Sequence, residues 1–268
     1  MKNLTNVKRS ISLVLMLAIM GISFGKSTAA PAKQQYFEIK IYRLSDKTQE
    51  SRVDAYLKDA YLPALHRAGI AKVAVFKPMI EKDTAFGKLV YVFIPYKSID
   101  QFLQLADVLG KDKVYQQAGK EFLDAPYNNP PFGRYESILL KAFTHMPQFR
   151  VPSFTTPAAE RIYELRSYES ATEAKALNKI QMFNEGGEIG IFQKIGANAV
   201  FYAQVIMGSQ KPRLMYLTTY ADMKAHDDCW AAFRNAPEWK TISSMAEYKN
   251  NTSKTNVFLC HPTDYSDF

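Results

Sequence analysis

Along this chain the spacing of apolar residues switches repeatedly between alternation and helical periodicity. In Tyr36–Tyr42 (YFEIKIY), Phe37, Ile39 and Ile41 fall on one side and Glu38 and Lys40 on the other, which predicts a half-buried strand. Ser51–Ala68 then places Val53, Tyr56, Leu57, Ala60, Tyr61 and Leu65 at helical spacing. Pro63 is expected to kink that helix or end its regular part, and Gly69 to terminate it. Strands follow at Ile70–Met79 and Lys88–Tyr96, joined by the polar loop Glu81–Gly87. Ser98 caps a helix reaching Asp107, and Gly110 is the expected break before a second helical piece, Asp112–Leu123. Tyr135–Phe143 is the fourth strand.

After the proline-marked linker 144–159 the pattern restarts. Strands are predicted at Arg161–Tyr168, Ala199–Met207, Arg213–Tyr220 and Thr255–Cys260. Helices are predicted at Thr172–Glu185, Asp222–Phe233 and Pro237–Tyr248, with Glu188–Gly196 either a short helix or an irregular lead-in. Lys88–Tyr96 (KLVYVFIPY) and Arg213–Tyr220 (RLMYLTTY) begin 125 positions apart, so a β-α-β-β-α-β order occurs twice. The expected fold is α+β, a duplicated ferredoxin-like domain over 36–143 and 160–261, with two antiparallel sheets facing each other and helices outside. Helices cover one face of each sheet, and the other apolar face must be buried against something. The facing sheets would make a barrel of about eight strands, whose interior holds side chains or one small ligand.

The first thirty residues stand apart from this pattern. Lys2, Lys8 and Arg9 precede the apolar run Ile11–Met20, and Ser27-Thr28-Ala29 supplies a small-x-small cleavage site. The expectation is a signal peptide, residues 1–29, and a periplasmic or secreted mature protein with no membrane span. The alternative is an uncleaved anchor, although the run is short of the roughly 20 residues a span requires. Lys2, Lys8, Arg9 and Lys26 lie in this leader, so the formal charge falls from +8 to +4 without it. The remaining basic residues are scattered among acids, which argues against nucleic acid as a partner. Cys229 and Cys260 could pair in an oxidising compartment, but Cys229 also suits a buried thiol in a helix.

The opening Tyr163-Glu164-Leu165-Arg166-Ser167-Tyr168 and the Arg213–Lys240 segment, with Leu214-Met215-Tyr216, Trp230 and Pro237-Glu238-Trp239, resemble the NIPSNAP family. The resemblance covers roughly 160–260. Residues 36–143 resemble the family loosely, Tyr42 aligning with Tyr168 and Tyr91 with Tyr216, but with no tryptophan matching Trp230 or Trp239. It implies a dimeric α/β-barrel fold of the ferredoxin-like type, here with both barrel halves in one chain, and it brings no agreed catalytic residues. The wider barrel superfamily includes cofactor-independent monooxygenases, haem-handling proteins and ligand-binding proteins.

No HExxH, GxSxG, P-loop or dinucleotide glycine fingerprint is present, and no metal or cofactor is called for. Haem would need an axial ligand, for which His66 is the nearest candidate without being compelled. His226 and Asp222 share a helix face, and helix-surface electrostatics is the expected account of them. In the fifth strand Ile162, Glu164, Arg166 and Tyr168 share one face, and Tyr163, Leu165 and Ser167 the other. If the charged row faces the barrel, Glu164 and Arg166 must be paired or meet a polar ligand; otherwise they are a solvated row. Candidate ligand contacts are therefore Arg166, Glu164, His66, Tyr91 and Tyr216, with Trp230 and Trp239 assigned to structure. The functional expectation is binding of a small organic ligand or a partner, a homo-oligomer included. The alternative is a cofactor-independent monooxygenase-like enzyme acting on a small aromatic or polarised substrate in the barrel cavity.

Overall fold

The structure is a computed structural model, and it describes residues 32–79 and 87–268. The leader, residues 1–29, and most of the Glu81–Gly87 loop lie outside the described residues. The first half runs β1 (Tyr36–Arg43), α1 (Lys47–Tyr56), a π-helical turn Leu57–Tyr61, α2 (Leu62–Arg67), β2 (Ala74–Pro78) and β3 (Leu89–Tyr96). It continues through α3 (Ile99–Lys111), α4 (Lys113–Ala118), α5 (Lys120–Leu123) and β4 (Arg134–Ala142). The second half runs β5 (Ile162–Glu169), α6 (Glu173–Asn184), α7 (Glu188–Lys194), β6 (Asn198–Met207) and β7 (Arg213–Tyr220). It ends with α8 (Met223–Asn235), α9 (Pro237–Ser244) and β8 (Lys254–Pro262). Glu188–Gly196 is thus helical over most of its length. Among the described residues no helix is long and apolar enough to cross a membrane.

Of two local expectations, one needs correction. The regular helix is interrupted just before Pro63, as expected, and then continues to Arg67. Proline cannot donate to a carbonyl one turn back, and the π-helical turn just before it takes up that mismatch. Gly110 lies inside α3, and the break falls at Asp112, whose carboxylate accepts from the Tyr115 amide at 2.9 Å and so starts α4.

The larger correction concerns the sheets. The eight strands form one closed antiparallel barrel in the order β1-β3-β2-β8-β5-β7-β6-β4, not two separate sheets facing each other. The halves are joined by hydrogen-bonded strand pairs: β2 with β8 through Phe76↔Pro262 and Pro78↔Cys260, and β4 with β6 through Leu140↔Val205 and Ala142↔Ala203. Two open sheets would leave rows of unpaired N–H and C=O groups along their edges, and closure satisfies them.

Strand alternation sends one side chain in two into the barrel. The interior is filled by Phe37, Phe76, Tyr91, Phe93, Tyr163, Phe201 and their aliphatic neighbours. Phe93 and Phe201 stack with ring centres 5.0 Å apart. Phe149 from the linker and the terminal Phe268 pack against Phe93 at 5.8 and 6.4 Å and help fill the barrel. Burial of each Phe-sized side chain contributes about 1.5–3 kcal/mol, so the middle of the barrel is core. A ligand cavity there is ruled out by these rings. Cys260 belongs to this interior, Cys229 sits on α8, and no disulfide joins them.

Candidate functional site

The outer face of β5 carries the charged row Glu164, Arg166 and Tyr168, and it faces neither the barrel interior nor open solvent. Helices α6 to α9 arch over it and leave a cleft of about 560 Å³, within the usual range for small-molecule sites. Asp222 starts α8 by accepting from the Ala225 amide at 2.7 Å. From that fixed start, His226, Trp230 and Phe233 follow at helical spacing and line one wall. Pro237 opens α9 and brings in Trp239, while α6 and α7 contribute Lys179 and Glu188.

Glu164 is the hub of this cleft and is 3% exposed. Trp230 Nε1 donates to its Oε2 at 2.6 Å and the Tyr220 hydroxyl at 3.4 Å. His226 Nε2 lies 3.5 Å from the same oxygen, and Arg166 Nη1 lies 3.7 Å from Oε1. The Arg166 guanidinium rests over the Trp230 ring, 4.2 Å from its centre, and its Nε is buried without a hydrogen-bond partner. Burial opposes the Arg166 charge, but the neighbouring Tyr216, Tyr168 and Glu164 outweigh it, and the guanidinium pKa stands above its ordinary value. Burial likewise works to lower the His226 pKa, yet the carboxylates of Glu164 and Asp227 more than offset it and raise that pKa above its ordinary value. Burial pushes the Tyr168 phenol up to about 12, and its hydroxyl pairs with that of Tyr216 at 2.7 Å.

Across the cleft Lys179 Nζ donates to Glu188 Oε2 at 2.7 Å, both side chains being buried. Burial raises the Glu188 pKa, with Lys179 opposing the rise. The ammonium also lies 5.6 Å from the centre of the Trp239 ring. The cleft therefore presents two cations, each set against a tryptophan face, with an imidazole at one side. That arrangement suits a flat organic molecule bearing partial or full negative charge. Asp222 is committed to its cap and Glu188 to Lys179, and among the described residues no group of three or more metal-ligating side chains converges.

The sequence candidates divide between places. Arg166, Glu164 and Tyr216 meet at the cleft floor or beneath it, and Trp230 and Trp239 are half-buried walls of the cleft as well as packing partners of Phe233. His66 is remote: its Nε2 lies 2.8 Å from the Asp267 carboxylate, pinning the C-terminal tail. Tyr91 points into the barrel. Its alignment with Tyr216 is out by one residue, because Glu38 pairs with Ile94 and Glu164 with Thr218, which matches Val92 to Tyr216 and Tyr91 to Met215. A slip of one position moves a side chain to the opposite face.

The expectation of a surface role for His226 is also corrected, since its side chain is 12% exposed and directed at Glu164. Its i, i+4 relation to Trp230 was the available signal, and Lys179 on the apolar stripe of α6 was another. In the first half Glu38 and Lys40 repeat Glu164 and Arg166, and the Tyr96 hydroxyl donates to Glu38 at 2.8 Å as Tyr220 does to Glu164. There, however, Lys40 lies under the Tyr61 and Tyr135 rings, and Tyr56, Tyr61 and Tyr115 pack together around it.

The NIPSNAP family model matches residues 163–267, the half that builds the cleft. Among curated proteins none matches this sequence. In fold, the chain is similar to a candidate monooxygenase from Lactobacillus acidophilus NCFM, with TM-score 0.53 and 10% identity over 86% of this chain and 94% of that one. It is similar also to a candidate monooxygenase from Fusobacterium nucleatum, with TM-score 0.50 and 8% identity over 86% and 93%. A NIPSNAP-like domain protein from Burkholderia xenovorans is 20% identical over 40% of this chain and 90% of its own, with TM-score 0.35. The chain is thus a barrel whose second half matches the NIPSNAP family model and whose fold is similar to those of the two candidate monooxygenases.

Proposed function

We propose that the cleft over β5 binds a small aromatic or polarised organic molecule and oxidises it without a cofactor, as a monooxygenase-like enzyme. The observation that carries this reading is the half-buried Arg166 guanidinium, laid on Trp230 with Nε unpartnered, beside an imidazole 3.5 Å from Glu164. His226 takes a proton from an activated C–H of the substrate, and Arg166 holds the resulting anion away from water. Dioxygen is the oxidant: a methylene becomes a carbonyl, one oxygen atom enters the product and the other leaves as water. The likeness to two candidate monooxygenases, at 10% and 8% identity, is a likeness of fold, and the reaction class rests on the cleft residues. The site lies outside the barrel, between sheet and helices.

One observation favours binding without turnover: the raised His226 pKa keeps the imidazole protonated further up the pH scale, a state that holds an anion and accepts no proton. The two readings separate by pH. Turnover rises as His226 loses its proton, whereas affinity for an anionic ligand falls. The test is mass spectrometry of compounds retained by the native protein, followed by oxygen uptake with enolisable aryl ketones in wild type, Arg166→Ala and His226→Gln. Uptake lost in both variants supports the enzyme. A retained compound with no uptake supports binding, and retention unchanged in Arg166→Ala removes the cleft from the reading. The same proposal takes residues 36–143 and 160–261 as duplicated units joined by 144–159, exported after cleavage near Ala29. N-terminal sequencing of the native protein that begins at Met1 would defeat the export part.

A further inference from the structure

One end of the barrel is not filled. Between the ends of β1 and β5 and the starts of β3, β4, β7 and β8 lies a second cavity of about 470 Å³. Its floor is apolar, formed by Tyr91, Leu165, Met215 and Phe258, and the Tyr91 and Phe258 rings lie 5.8 Å apart across it. The packed aromatic core beneath stops anything from passing further into the barrel.

Arg213 stands at the rim on an inward-facing position of β7 and is 5% exposed. Its Nη1 donates to Gln210 Oε1 at 2.9 Å and lies 3.4 Å from Ser167 Oγ. Its Nε and Nη2 are buried and have no hydrogen-bond partner. These two nitrogens form the side-on fork of a guanidinium, which matches the two oxygens of a carboxylate. Glu136 does not fill that role. Its Oε1 is 3.6 Å from Nη2, its Oε2 is 3.5 Å from Arg43 Nη2, and Ser209 donates to Oε1 as well. Glu169 is held by Asn256 at 2.7 Å and lies 3.8 Å from Lys254.

Counting the mouth, Arg43, Lys88, Arg213 and Lys254 face Glu136 and Glu169, an excess of two positive charges. A buried guanidinium with three of its five N–H donors unused is costly unless something else meets them. Its pKa is lowered by burial, which fits a charge short of compensation.

We infer that the barrel mouth is a binding site for a small organic carboxylate, its two oxygens on Nε and Nη2 of Arg213 and its hydrocarbon part on the Tyr91–Phe258 floor. The apolar floor selects an organic acid over inorganic phosphate, and the packed core beneath it favours a compact aryl or short branched group. The site is separate from the cleft and does not depend on the reading of that cleft.

The two sites can be told apart because Trp230 and Trp239 are the only tryptophans and both line the cleft. Benzoate is the probe, benzamide its uncharged equal in shape, and binding is read by titration calorimetry and tryptophan emission. In the Arg166→Lys protein, where the cleft is weakened, benzoate should still bind at one site without changing tryptophan emission. Adding Arg213→Lys, which keeps the charge but loses the fork, should weaken that binding at least tenfold. Leu89→Phe narrows the mouth with Arg213 in place, and should abolish it in a protein that folds normally. No binding at millimolar benzoate, equal affinity for benzamide, or unchanged affinity in Arg213→Lys would each overturn the inference.

Discussion

Replacing Glu164 with Gln tests the architecture of the cleft directly. The substitution keeps the shape and one acceptor oxygen for Trp230 Nε1, now 2.6 Å away, but removes the charge facing Arg166 at 3.7 Å and His226 at 3.5 Å. At an effective dielectric near 20, charges at such separations attract by about 4–5 kcal/mol. Much of that is offset by the cost of desolvating the carboxylate, whereas losing a hydrogen-bonded partner of a charged group costs about 1.5–3 kcal/mol. Removing one member of a buried pair costs about 3–5 kcal/mol. Because Gln keeps the Trp230 contact and Arg166 retains its ring, the expected loss is about 2–3 kcal/mol. Urea unfolding at neutral pH measures it, with an unchanged m-value showing that the compact state is intact.

The same variant makes a prediction about pH. His226 has a folded pKa above its unfolded value, so its contribution is fully present below the unfolded pKa and is lost as pH rises through the folded one. In Glu164→Gln the His226 titration, followed by NMR, should move down, and stability should fall less steeply above the ordinary histidine range. A loss below about 0.5 kcal/mol, within the range of ordinary surface changes, together with an unmoved His226 titration, would refute Glu164 as the hub.

Two further outcomes follow from the walls of the cleft. Lys179→Met should destabilise by about 3–5 kcal/mol, because it strands the buried Glu188 carboxylate. Lys179→Met with Glu188→Leu should recover most of that loss in urea unfolding; a double variant as weak as the single one would show that the pair is not the cause. Gly186→Ala should cost about 1–3 kcal/mol by thermal denaturation, since an added Cβ would sit 2.6 Å from the Met182 carbonyl oxygen at the end of α6. A midpoint equal to wild type would remove that constraint.

Periodicity alone separated the strands from the helices, and it put Glu164, Arg166 and Tyr168 on one face of β5, because side chains alternate strictly along an extended backbone. The Trp230 to Trp239 segment likewise marked the half that carries the cleft. What alternation leaves undetermined is where each face points. Closure of the barrel decided that, by pairing β2 with β8 and β4 with β6, and it sent Tyr91 inward while Tyr216 went under the helices. Register across β3 and β7 is set by hydrogen bonds between strands distant in sequence, so a match of similar residue strings could miss it by one position. The burial of His226 against Glu164 and the unused fork of Arg213 have the same origin. Each depends on groups from different strands and helices meeting in space, where distance and desolvation, not neighbouring residues in the chain, fix what a side chain can do.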